Sequence, residues 1–300
     1  MNKISVDLGS GVTKIYMPGC GVVLKEATCI AVEEYDSDDG KKLRIKAYGD
    51  KARSLSGRAA ARTKIVNPVF EGNIVHEELA AELLSYFLEK IEISGRKAKR
   101  TEAIFILPCG ITQSVRKKYK RLAEACGIGY VYFTLAPFAA VLGHNIVINE
   151  STPMFSLDIG YSVTDIAAFS QDGIISGMSI NIGGNSIDMQ LCEEAAQKFN
   201  LKIGSLTAER LKNKAGSLWR DDNKMLVIDG SEITSNSPSS VCVNSEQIYG
   251  VLTTYIDKVA EYVKLVISRL PAEVSSAVMH GGIYLTGGLS GLDGIADYLE

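Results

Sequence analysis

The sequence predicts a duplicated α/β fold, with two related domains that each carry a mixed sheet. Three observations predict it. The segment Asp7-Leu8-Gly9-Ser10-Gly11-Val12-Thr13-Lys14-Ile15 recurs half a chain later as Asp158-Ile159-Gly160-Tyr161-Ser162-Val163-Thr164-Asp165-Ile166, so both copies read Asp-(Leu/Ile)-Gly-x-(Gly/Ser)-Val-Thr-x-Ile. Strands followed by helices occur twice, the order of α/β domains with mixed sheets. Finally, 300 residues, 46% hydrophobic and 22% charged, suffice for two buried cores. The predicted domains are 1–150 and 151–300.

The first half opens with strands at Lys3–Val6, Thr13–Met17 and Val22–Val32, a hairpin turn over Asp36-Ser37-Asp38-Asp39-Gly40, and a partner strand at Leu43–Tyr48. Asp50–Ser56 reads as a short helix. His76 to Ile91 carries Leu79, Leu83, Leu84, Phe87 and Leu88 at helical spacing. A basic loop, Arg96-Lys97-Ala98-Lys99-Arg100, precedes a buried strand at Ala103–Leu107. A helix at Ser114–Cys126, a strand at Val131–Phe133 and a small-residue helix at Pro137–Gly143 follow. The second half has strands at Met154–Leu157, Val163–Phe169 and Gly173–Ile180, helices at Ser186–Phe199 and Gln247–Arg269, and a strand at Gly282–Leu285 running into Thr286-Gly287-Gly288.

Composition excludes several classes. A net charge of −3 gives no basic footprint for nucleic acid. The six cysteines (20, 29, 109, 126, 192, 242) form no C-x-x-C pair, and they read as small buried apolar residues of a reducing compartment. His76, His144 and His280 are scattered, and neither a G-x-x-x-x-G-K-(S/T) loop nor a G-x-G-x-x-G fingerprint is present. The chain enters a strand at once, without a signal peptide, and no apolar run is long enough to span a bilayer. The expected location is cytoplasmic.

The repeated turns carry the chemistry. Glycine and small hydroxyl residues let backbone N–H groups approach phosphate oxygens. One Asp per turn suits Mg²⁺, which prefers few carboxylates and keeps much of its water. Two copies half a chain apart favour a shared ligand over two ordinary hairpins.

Five ordered segments resemble one family. They are Asp7-Leu8-Gly9-Ser10-Gly11, Leu107-Pro108-Cys109-Gly110-Ile111-Thr112, Asp158-Ile159-Gly160, Ile203-Gly204-Ser205-Leu206-Thr207-Ala208-Glu209-Arg210-Leu211-Lys212, and Gly282-Ile283-Tyr284-Leu285-Thr286-Gly287-Gly288. Tyr48-Gly49-Asp50-Lys51-Ala52-Arg53 with Gly57-Arg58, Gly183-Gly184-Asn185-Ser186-Ile187-Asp188 and Ser231-Glu232-Ile233 support it. The set resembles the actin, heat-shock-chaperone and sugar-kinase superfamily, and within it the MreB family of bacterial actins, from residue 3 to about 298.

The resemblance implies an actin-like, ribonuclease H-like duplicated fold around a nucleotide cleft, with small subdomains near 20–68 and 196–245. It implies ATP or ADP with Mg²⁺ as cofactor. Asp7, Gly9, Ser10, Gly11, Val12, Thr13 and Lys14 would form the first phosphate loop. Asp158, Gly160, Tyr161, Ser162 and Thr164, with Gly183 and Gly184, would form the second. Thr286, Gly287 and Gly288 would form the nucleoside loop, and Glu209 and Lys212, three apart on a helix, would close over ribose and adenine. Asp7 and Asp158 would face each other across the cleft and hold Mg²⁺ through water. The implied role is cell-shape determination by a nucleotide-linked homopolymer filament at the inner membrane face, in partnership with cell-wall synthesis proteins and without nucleic acid. The family's last strand and helix are expected to be missing after Tyr298-Leu299-Glu300, or the chain is a fragment.

The sequence departs from the family on one face. Ala136 stands at the catalytic Glu position, beside Leu135, and Val163 at a second water-orienting position. Neither Ala nor Val forms a side-chain hydrogen bond. Tyr161-Ser162 replaces the usual Gly-Gly, so the ring either blocks the phosphates or points away from them. The expected activity is nucleotide binding with weak or absent ATP hydrolysis. An active ATPase or small-molecule kinase of the superfamily and a non-polymerising pseudo-ATPase regulator are the alternatives. The basic 96–100 segment reads as a solvated loop, with attraction to an anionic membrane as the alternative.

Overall fold

Ile4, Val6 and Leu8 alternate with polar residues and bury one face of the first strand, β1 (Asn2–Leu8), in the computed structural model, which describes residues 2–37, 40–57, 62–144, 146 and 153–300. The chain divides into two units, Met1–Ala139 and Ala140–Glu300.

In the first unit, β1 is followed by β2 (Val12–Met17), β3 (Gly21–Ala27), β4 (Ile30–Ser37), β5 (Gly40–Tyr48), α1 (Gly49–Ser54), β6 (Thr63–Val66), β7 (Val69–Phe70) and β8 (Asn73–Ile74). Next come α2 (Glu77–Lys90), α3 (Gly95–Lys99), β9 (Thr101–Leu107), α4 (Gln113–Ala125), β10 (Tyr130–Leu135) and α5 (Ala136–Gly143), which runs past the unit boundary. The five-stranded sheet has the order β10-β9-β1-β2-β3, with β1–β9 and β9–β10 parallel and the rest antiparallel. Its core holds Val6, Phe105, Tyr119 and the α2 stripe Leu83, Leu84, Phe87 and Leu88. Each of those apolar side chains contributes about 2–3 kcal/mol by leaving water. A smaller sheet, β5-β4-β6, packs with α1 around Ala27, Cys29, Ala31 and Ala52.

The second unit runs β11 (Met154–Ile159), β12 (Thr164–Ser170), β13 (Gly173–Ile180), α6 (Gly184–Phe199), β14 (Leu201–Lys202), α7 (Ser205–Ala215), β15 (Met225–Glu232) and β16 (Pro238–Asn244). It closes with α8 (Ser245–Ile267), α9 (Ala272–Gly281), β17 (Ile283–Thr286), a 3₁₀ turn at Gly288–Gly291 and α10 (Ile295–Leu299). The sheet order is β13-β12-β11-β17, with only β11–β17 parallel. An antiparallel hairpin beside a parallel neighbour therefore occurs in both units. A three-stranded sheet, β14-β15-β16, accompanies α7. Helix α8 starts at a reciprocal cap: the Gln247 amide donates to the Asn244 side chain at 3.0 Å, and the Asn244 amide to Gln247 Oε1 at 2.9 Å.

Several expectations need correction. Val22–Val32 is not one strand; it breaks at Thr28, whose amide leaves the ladder for the Gly11 carbonyl at 3.0 Å. The basic 96–100 segment is not a loop over its whole length. Gly95–Lys99 forms a helical turn because Ala98 is buried, while Arg96, Lys97, Lys99 and Arg100 stay exposed. Of the six cysteines only Cys29 is buried; Cys20 and Cys242 are exposed, and Cys109, Cys126 and Cys192 are intermediate. Asp38, Asp39 and Arg58 lie outside the described residues, as does the expected domain junction at 150 and 151.

Candidate functional site

The first turn joins β1 to β2 with Asp7 opposite Lys14 and Leu8 opposite Thr13. Gly9 is required by close approach, since a Cβ there would lie 2.9 Å from the Val12 carbonyl oxygen. Asn67 Nδ2 donates to the Ser10 carbonyl at 3.2 Å, and the Thr28 amide to that of Gly11 at 3.0 Å. In a trans peptide the N–H points away from the C=O. Each held carbonyl therefore turns the amide that follows it, that of Gly11 or Val12, away from its own donor. Thr13 is buried against Thr28, hydroxyl to hydroxyl at 2.8 Å. Lys14 Nζ pairs with Asp7 Oδ2 at 3.2 Å, and both side chains reach solvent. Beneath them, burial and then the Asp7 carboxylate push the Tyr119 phenol well above its ordinary range.

The second turn joins β11 to β12 in the same register, Asp158 opposite Asp165 and Ile159 opposite Thr164. A Cβ on Gly160 would lie 2.8 Å from the Val163 carbonyl oxygen, repeating the Gly9 contact. Here the carbonyls are held by one helix. The Gly184 amide donates to Gly160 at 3.0 Å and the Asn185 amide to Tyr161 at 2.8 Å, both from the start of α6. Gly183 permits that approach, because its Cβ would sit 2.6 Å from the Tyr161 carbonyl oxygen. Ser162 is buried, while Tyr161 and Val163 are intermediate. The Thr164 hydroxyl, buried like that of Thr13, donates to the Ile182 carbonyl at 2.7 Å.

The third segment is brought onto the second turn. The Thr286 hydroxyl donates to Asp158 Oδ1 at 3.1 Å. Gly287 adopts φ +90°, and a Cβ there would lie 2.3 Å from the Ile159 carbonyl oxygen, so no other residue fits. Gly288 opens the 3₁₀ turn with empty space where a side chain would stand.

Helix α7 places Glu209 and Lys212 differently from one another. Glu209 is intermediate in exposure. Lys212 is only 5% exposed, with its ammonium 2.7 Å from Asp188 Oδ1 and 2.9 Å from the Gly184 carbonyl. The sequence spacing gave the shared helical face but not this inward partner. Asp188 lies one helical turn after Gly184 on α6, and tertiary packing alone brings its carboxylate to Lys212. Ala136 is the first residue of α5, directly after β10.

Among the described residues no three His, Cys, Asp or Glu side chains gather as a direct metal cluster. The donor set is one carboxylate per turn, the chemistry of an ion that keeps most of its water. No helix among the described residues is long and apolar enough to cross a membrane.

Two units, each built on an Asp-Gly hairpin beside a parallel strand, are those of an actin-fold protein. The chain has a TM-score of 0.91 to MreB5 of Spiroplasma citri bound to AMPPNP, at 28% identity over 99% of this chain and 87% of that one. The same protein bound to ADP gives 0.90. The MamK double helical filament, at 17% identity, gives 0.78 over 99% of this chain and 90% of that one, and shows the fold alone. The cell shape-determining protein Mbl of Bacillus subtilis (strain 168) is 30% identical over 294 residues, 97% of this chain and 86% of Mbl. The family model for MreB/Mbl protein matches residues 1–300, and the chain belongs to that family.

Proposed function

We propose that this protein is a filament-forming cell-shape actin that binds adenine nucleotide with Mg²⁺ and hydrolyses it slowly. The observation that carries the binding reading is that two successive turn carbonyls in each unit are hydrogen-bonded, so the amides that follow them point away from those donors, as in an anion nest. The AMPPNP- and ADP-bound MreB5 structures support it.

In this reading the amides around Ser10–Val12 and Tyr161–Val163 bind phosphate oxygens, with Lys14 adding a positive charge. Gly288 leaves room for the nucleoside, and Glu209 faces its ribose. Asp7 and Asp158 hold waters of the Mg²⁺ shell. When bound, Mg²⁺ would neutralise charge on the phosphate oxygens. Hydrolysis depends on a positioned water. Ala136 at the head of α5 and Val163 in the second turn offer that water no side-chain hydrogen bond.

Self-assembly is supported by the family and by the MamK filament fold. The exposed basic face of α3 supports contact with an anionic membrane, at about 1 kcal/mol per basic residue near the surface. Titration calorimetry with MgATP tests binding, and pelleting with and without MgATP tests assembly. Binding and nucleotide-dependent pelleting are expected. A folded protein that gives no heat at millimolar MgATP and never pellets would be the pseudo-ATPase regulator instead.

A further inference from the structure

Strand β3 is the outer strand of its sheet, and its last residue and the two that follow are held from both edges. In an extended chain the N–H and C=O of one residue point to one edge and those of the next to the other. Thr28 faces the first turn: its amide donates to the Gly11 carbonyl at 3.0 Å, and its hydroxyl meets that of Thr13 at 2.8 Å. Ala27 and Cys29 face α1. The Asp50 carboxylate accepts from the Ala27 amide at 2.9 Å, and the Gly49 amide donates to the Cys29 carbonyl at 2.9 Å. Gly49 makes that approach possible: it has φ +58°, and a Cβ there would run into the Glu26 carboxylate, which Lys90 of α2 holds in an ion pair. Tyr48, just before α1, stacks on Tyr86 of α2 with ring centres 4.6 Å apart. Helix α1 is thus fixed against its neighbours, and Asp50, although exposed, gives its carboxylate to a strand amide.

We propose that Asp50 is a positioning residue for the first phosphate turn, acting across β3 through Ala27 and Thr28. With the Ala27 amide held on one edge, the Thr28 amide is aimed at Gly11 on the other. The Gly11 carbonyl shares its peptide with the Val12 amide, so its direction sets that of Val12. Among the described residues Asp50 has no hydrogen bond to the turn itself, and its influence passes through the strand. The effect on ligand binding rests on the nucleotide reading above; the tie across β3 belongs to the protein without ligand.

The principal variant is Asp50→Ala, which removes the acceptor at an exposed position and strands no buried charge. Asp50→Asn is the rescue variant, since its amide oxygen still accepts from Ala27 while the charge is gone. Asp50→Glu keeps the charge and moves the carboxylate one carbon further from Cα. Two readouts are taken on the full chain: amide exchange at Ala27 and Thr28 without nucleotide, and affinity for MgADP against adenosine.

In Asp50→Ala, exchange should quicken about fivefold or more at Thr28 as well as at Ala27, and MgADP affinity should fall by about fivefold while adenosine binding holds. Asp50→Asn should stay near wild type in both readouts. Quickening confined to Ala27 overturns the proposal, because the bond would then act on its own amide alone. An MgADP affinity that does not fall overturns it too, as does an adenosine affinity that falls as far, or an Asp50→Asn that behaves like Asp50→Ala. If the folded wild type binds neither ligand, the nucleotide reading fails, and exchange at Thr28 still supports or overturns the tie. If Asp50→Ala fails to fold, Asp50→Glu decides by the same two readouts, and unchanged exchange at Thr28 overturns the tie.

Discussion

Adjacent glycines in the loop after β17 do opposite work. Gly287 is locked by φ +90° and by a Cβ position 2.3 Å from the Ile159 carbonyl oxygen, whereas Gly288 has nothing within 4 Å. Gly287→Ala should lower stability by about 1–3 kcal/mol or more, read as a fall in Tm. Gly288→Val should leave Tm nearly unchanged and abolish nucleotide binding, read by calorimetry. If the two substitutions behave alike, Gly288 does not border the ligand. At the catalytic positions, wild-type single-turnover phosphate release should be slow, and Ala136→Glu with Val163→Thr should raise it, on the order of 10²-fold. A wild-type rate equal to that of an active relative would show that some other group positions the water.

The small sheet β5-β4-β6 carries a pH-sensitive element. Burial pushes the Cys29 thiol from 9.0 to about 11, and its Sγ lies 3.5 Å from the Gly49 carbonyl. A folded-state pKa above the unfolded value means stability present below pH 9 and lost as pH rises toward 11. The loss is on the order of 2 kcal/mol across that window, and Cys29→Ala should remove this part of the pH dependence in denaturant melts. Thiol labelling below that window should reach exposed Cys20 and Cys242 first and Cys29 last. Elements with a strong period were legible in the sequence: α2 and α4, the two Asp-Gly hairpins and β9 announce themselves by spacing or repetition. What was not legible depended on tertiary partners. Thr28 ends a strand because Gly11 and Thr13 claim it, and α3 forms because Ala98 has a pocket to fill. In the sheet β14-β15-β16 burial alternates, but exposed Met225 and Val227 are as apolar as inward Leu226 and Ile228, so the residue pattern carried little signal. At the candidate site the turn residues were readable as a repeat, while the inward course of Lys212 was not.

At the scale of the whole chain, the single tryptophan offers a reporter. Trp219 Nε1 donates to Asp297 Oδ2 at 2.9 Å, and the Leu218 amide to the Asp293 carbonyl at 2.8 Å. These bonds tie the segment after α7 to the residues that follow the Gly288 turn. Trp219 is about half exposed, so its emission responds to changes in that contact. Saturating MgADP should shift the emission, and Asp297→Ala should shift it without ligand. An emission spectrum indifferent to both would uncouple this segment from the nucleoside loop.

The second turn has a consequence for how its sequence can vary. Its path is set by main-chain bonds from α6 and by the two glycines at 160 and 183, and neither Tyr161 nor Ser162 has a positive φ. A Gly-Gly pair at positions 161 and 162 is thus dispensable for the shape of the bend. Positions 161 and 162 form a tolerant window inside a rigid frame, where a substitution changes chemistry at the turn without rebuilding the bend. The frame itself, Gly160, Gly183 and the helix behind them, is where a single substitution would be lethal to the bend.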